Sequence, residues 1–295
     1  MRIQVLPLIA AGLLVVACGS AQQQQQEASD TSAEAAESSA PAEGKVDSAQ
    51  GPDGEAPPPG GTGTMIVTYQ DAQSPEAIAG RDLMQGDQLL EDFAEDINQT
   101  LNLPYDIQLH GSQCDQANAF WQESEITITI CYEDASNSQR IFTEAGDADP
   151  DAAAINAEYA TFYHEVGHMA ISVYDLPVTG REEDVADQLA AYILLTPGDD
   201  GKIDPESVQA VKDFARVFAA SGAGTQVSPG ALADEHSLDM QRVYNLDCWI
   251  YGSNPDANAD LVTSGQLPED RASGCPAEWE QLDQAWSTLL DPYFK

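Results

Sequence analysis

His164, Glu165 and His168 stand in the run Tyr-His-Glu-Val-Gly-His-Met-Ala (163–170). A helix turns once in about 3.6 residues, so histidines four apart project from the same side. Two imidazoles placed this way can grip one metal ion. The glutamate after the first can then reach a water beside that ion. The chemistry on offer is hydrolysis: a cation polarises and acidifies, and a carboxylate takes the proton. The chain has only four histidines, and two of them are here.

Such a pair needs a helix beneath it. Ile155, Tyr159, Phe162, Val166, Met169 and Val173 recur at steps of three and four, which predicts a helix over 151–174. Asp175, Leu176 and Pro177 stop it. A catalytic zinc site takes three protein ligands and leaves one position open. The third ligand is not a histidine of the metzincin kind, because Ile171 and Tyr174 occupy the positions of that pattern's glycine and histidine. A second helix is expected over 180–194, opening with acids.

Glu182, Glu183, Asp184 and Asp187 compete for the third ligand position. Glu183 and Asp187 are four apart and share a face. This suits a ligand plus a carboxylate that orients a histidine through its other ring nitrogen. Acids in a first turn are also favoured by the helix dipole alone. However, Ala186, Leu189, Ala190 and Ile193 give this helix a buried side, and an acid beside it needs a partner. Glu183 is therefore preferred, with Glu182 and Asp184 left open.

His164-Glu165-x-x-His168 followed by Glu183-x-x-x-Asp187 resembles the gluzincin pattern. The resemblance implies Zn2+ held by His164, His168 and Glu183, Glu165 as general base, and Asp187 behind the first histidine. Asn118-Ala119-Phe120-Trp121 resembles the substrate-binding strand of thermolysin-like peptidases, in which backbone beside Asn118 and Ala119 would hold an extended peptide. Gluzincins also place a His or Tyr from later in the chain at the oxyanion. His236, flanked by Asp234, and Tyr244 are the candidates here. Residues 64–295 look closest to a bacterial family of uncharacterised metallopeptidases. The resemblance runs through an edge strand ending Cys131-Tyr132, the histidine helix, the turn 176–183 and the run from Asp234 through His236 to Arg242.

Residues 1–18 read as an export signal, with Arg2, then an apolar stretch, then small residues around Cys18. Val15-Val16-Ala17-Cys18 resembles a lipobox, which implies a lipid on Cys18 and a tether to a membrane of the bacterial cell envelope, facing the periplasm or the surface. Residues 19–63 are low in complexity, with five successive glutamines and three successive prolines. Such a stretch buries too little apolar surface to offset its ordering entropy and reads as a disordered linker. Four cysteines remain. Three pairings are possible, and short loops favour Cys114 with Cys131 and Cys248 with Cys275.

The net charge is −39. This excludes nucleic acid as a partner, and anionic headgroups would repel the domain, so the lipid alone would hold it at the membrane. The partner expected is a peptide or protein substrate. Strands are expected at 65–69, 105–109 and 125–132, and helices at 83–101, 205–218 and 278–290. Strands early and helices late predict an α+β class: a zincin-like domain with a small N-terminal sheet, active-site helices and a mainly helical C-terminal part. The function expected is zinc-dependent peptide hydrolysis. The rival expectation is a tethered zinc-binding scaffold without catalysis.

Overall fold

The computed structural model describes residues 61–295 apart from 199, 225 and 226. The expected signal, Cys18 and the linker as far as residue 60 lie outside the described residues. Ordered contacts begin early, since the Gly63 N–H donates to Leu103 O at 2.9 Å.

The chain opens with β1 (Met65–Tyr69), α1 (Pro75–Gly86), α2 (Leu89–Thr100), β2 (Ile107–Ser112), β3 (Ala119–Gln122) and β4 (Thr127–Cys131). Helices follow: α3 (Tyr132–Ala145), α4 (Pro150–Val173), α5 (Glu182–Leu195), α6 (Pro205–Gly222), α7 (Pro229–Ala233), α8 (Asp239–Ser253), α9 (Asp260–Thr263), α10 (Glu269–Ala272) and α11 (Cys275–Leu290). The four strands form one sheet in the order β1-β2-β4-β3, with β3 antiparallel to β4 and the other pairs parallel. The class is mixed α+β: α1 and α2 lie between β1 and β2, and the chain after β4 is helical.

Three expectations are corrected. The helix expected over 83–101 is two helices, parted at Asp87 and Gln88, where Gln88 adopts a left-handed φ of 56°. Gly86 and Asp87 are weak helix formers and permit the break. The strand ending at Cys131 is not an edge strand but lies between β2 and β3. Thr127 and Thr129 are buried along with Ile128 and Ile130, so both faces of this strand are covered. The Thr127 hydroxyl is satisfied by the Glu125 carbonyl at 2.9 Å. The second strand begins at Ile107 rather than 105 and runs through Gly111 to Ser112.

The core that positions α4 is aromatic. Phe93 of α2 stacks on Phe162 of α4 with ring centroids 4.1 Å apart, and Tyr159 meets Phe93 edge-on. The α4 N-terminus is fixed by Asp149, whose side chain accepts from Ala152 N at 3.1 Å, with Pro150 at the first helical position. Two disulfides join Cys114 to Cys131 and Cys248 to Cys275, the pairing expected from short loops. The second ties α8 to the start of α11.

Candidate metal centre

Histidines 164 and 168 leave α4 toward α5. The two helices approach closely because Gly167 has no side chain: a Cβ there would lie 2.8 Å from the Cα of Ala186. Ala186 sits between Glu183 and Asp187, so this contact sets the depth at which both acids face the histidines. Glu183 Oε2 lies 3.3 Å from His164 Nε2 and 3.4 Å from His168 Nε2, and the two ring nitrogens are 3.2 Å apart. Ligand atoms of His164, His168 and Glu183 all fall within 4.8 Å of one another, and neither Glu182 nor Asp184 belongs to that group.

The other side of each ring explains the orientation. His164 Nδ1 is 2.9 Å from Asp187 Oδ1, and His168 Nδ1 is 2.9 Å from Glu182 Oε1. A carboxylate can only accept, so each neutral ring carries its hydrogen on Nδ1 and presents a bare lone pair at Nε2. Glu182, a competitor for the ligand position, thus holds the second histidine as Asp187 holds the first.

His236 arrives from the stretch after α7. Its Nδ1 is 3.0 Å from Asp234 Oδ1, and its Nε2 is 3.1 Å from Glu183 Oε2. It joins Glu183 and the exposed Glu235 in a second metal-competent group, and is not part of the first. Tyr244 is exposed on α8.

Electrostatics describe a centre that lacks positive charge. Burial works against a charged His164 ring, but Asp187 and Glu183 outweigh it and raise its proton affinity. Burial likewise opposes charge on His168, yet Glu182 and Glu183 bring it up to about 10. Glu183 itself lifts His236 to about 9. Desolvation would raise Glu183, but the three imidazoles hold it well below the usual carboxylate range. Lone pairs crowded this closely repel unless a cation sits among them. Without metal the cluster takes protons; a dication meets the same need. Two imidazole nitrogens and one carboxylate oxygen form a donor set suited to zinc.

Glu165 is buried, and its proton affinity is raised chiefly by desolvation, with the two histidines acting against it. The Trp121 backbone N–H of β3 favours the ionised form of its carboxylate. β3 is the sheet edge, and the Cys131 N–H donates to Asn118 O at 3.1 Å, so Asn118 faces β4. Antiparallel alternation then turns the backbone of Ala119 and Trp121 away from the sheet, toward α4 and open edge.

Two features were not legible as functional. Arg242 is buried, with Nε 2.7 Å from Asp187 Oδ2 and Nη2 2.6 Å from Asp187 Oδ1. Its guanidinium lies 3.7 Å from the Phe218 ring centroid. Desolvation alone would raise Asp187, but Arg242 and His164 hold it low. The sequence offered Arg242 only as part of the run from Asp234, without its partner. The Trp121 N–H is a backbone group, and residue types carry no signal for it.

No curated protein and no solved structure matches this chain. A family model described as "Putative metallopeptidase" matches residues 69–290, well over half of the sequence, and the chain belongs to that family.

Proposed function

We infer that this protein is a zinc-dependent peptidase tethered to the bacterial cell envelope. The observation that carries the reading is the convergence of His164 Nε2, His168 Nε2 and Glu183 Oε2, each ring backed by its own carboxylate. His164, His168 and Glu183 would hold the ion. Bound there, zinc supplies a Lewis acid and lowers the pKa of water toward neutrality.

The chain's own residues supply the rest. Glu165, desolvated and steered by the Trp121 N–H, takes the proton from the attacking water and passes it to the departing amine. Asp187, held by Arg242, fixes the His164 ring and its tautomer. His236, oriented by Asp234, is the candidate donor to the developing oxyanion. The outward backbone of Ala119 on β3 offers an extended peptide a strand to pair with, beside exposed Asn118. The family described as a metallopeptidase supports peptide hydrolysis as the reaction. The lipobox-like run at Cys18 supports the tether.

The test is Glu165→Gln in the full chain. It should bind zinc like the unaltered protein and cleave no peptide. A protein that holds zinc but cleaves nothing in a broad peptide library, with Glu165 intact, is a scaffold instead.

A further inference from the structure

Glu158 lies on α4, seven residues before Glu165 and so on the same face two turns earlier. It is fully buried, and neither carboxylate oxygen meets any hydrogen-bond donor. Asp134, in the first turn of α3, lies within hydrogen-bonding reach of it. Asp134 is half-buried, and its carboxylate oxygens are not closed off from water as both oxygens of Glu158 are. Two ionised carboxylates can only accept, so their contact makes chemical sense with a proton between them.

We propose that Asp134 and Glu158 share one proton between α3 and α4, and that this carboxyl pair is a pH-responsive latch on the helix bearing His164, Glu165 and His168. The neighbouring charges are few. Burial and the Glu165 charge both act on Asp134, whose carboxyl is pushed up to about 6. Glu158 is raised further by burial and by Asp134. The α3 N-terminus favours the charge on Asp134, which leaves the proton on Glu158. β3 and β4 bear no ionisable side chain. On α6, Asp213 and Arg216 are bonded to each other, and Arg216 also to Asp147. On α1, Arg81 acts on Tyr132 and pairs with Asp82, and on α3, Glu133 accepts from Cys114 N and Asp115 N.

A glutamine at 158 would give Asp134 a hydrogen-bond donor without titrating. A buried acid there makes stability depend on pH. Both carboxyls have raised folded values, so their contribution is complete below the unfolded carboxyl range. It declines as pH rises through that range and until the folded pair ionises. Loss of the shared proton sets two like charges against each other inside the α3–α4 contact and loosens the site-bearing turns.

The test is urea unfolding of the full zinc-loaded chain and of Glu158→Gln between about pH 5 and about pH 9. The folding equilibrium constant of the unaltered chain, relative to the variant, should fall toward about tenfold per pH unit and then level off. Zinc ligation affects both proteins alike and cancels in the ratio. Parallel profiles overturn the proposal. Millimolar calcium that raises the unfolding midpoint of the unaltered chain but not of the variant also overturns it, by assigning the gap to a cation. If the variant does not fold, carbon-13 NMR of assigned glutamate carboxyls in the unaltered chain decides. A neutral Glu158 at about pH 7 supports the latch, and an ionised one overturns it.

Discussion

Asp187 Oδ1 stands 2.9 Å from His164 Nδ1 and 2.6 Å from Arg242 Nη2, so one buried oxygen binds a ring of α4 to a guanidinium of α8. The carboxylate serves two tasks. It fixes the tautomer that bares His164 Nε2, and it neutralises a cation that would otherwise be buried alone. Asp187→Ala should therefore lose metal affinity about 10- to 100-fold. It should also destabilise the fold by about 3–5 kcal/mol, because Arg242 is left unpaired. Chelator competition and urea unfolding read the two effects separately. A variant with unchanged zinc affinity would remove Asp187 from the account of the site.

The Gly167–Ala186 approach gives a second prediction. A methyl at 167 would collide with backbone, not with a flexible side-chain end. Gly167→Ala should destabilise by about 1–3 kcal/mol through overpacking. Because α5 carries Glu183, its displacement should also weaken zinc binding. Melting temperature and metal content of the purified variant check both.

His236 touches Glu183 but lies outside the group formed by His164, His168 and Glu183. As an oxyanion donor, it should be dispensable for binding the ion. His236→Ala should keep the zinc content of the unaltered chain and lower kcat by about 100- to 1000-fold, with a smaller effect on KM. A variant that loses zinc along with activity assigns His236 to the ligand set.

Much of the centre was legible because metal chemistry fixes residue types at fixed helical spacing. The helices carrying His164, His168 and Glu183 lie within two residues of their expected bounds. The Glu183 and Asp187 pair falls where sharing a face requires. What the sequence hid depends on neighbours distant in the chain. The strand ending at Cys131 was expected at an edge, while its place between β2 and β3 and the burial of both its faces come from what packs around it. Glu182 read as a rival ligand, and only the direction of the His168 ring distinguishes a ligand from a ring holder. Glu158 passed unremarked among apolar neighbours at helical spacing, although seven residues before Glu165 is the spacing of one helix face.

The disulfides support the scaffold around the site. Cys131 ends β4 at the start of α3, and its link to Cys114 closes a sequence separation of 17 residues. Removing it by Cys114→Ala with Cys131→Ala should reduce stability by about 3 kcal/mol. Urea unfolding of that double variant, beside the unaltered protein with and without reductant, measures the effect. A midpoint unmoved by reductant contradicts it.

The central claim is that two α4 histidines and Glu183 of α5 clasp a single cation. Metal analysis of the purified chain after equilibration with excess Zn2+, repeated on Glu183→Ala, tests it most directly. The account predicts about one tightly held zinc per chain, lost or greatly weakened in the variant. A folded, metal-free protein, or a variant that retains its zinc at undiminished affinity, would contradict it.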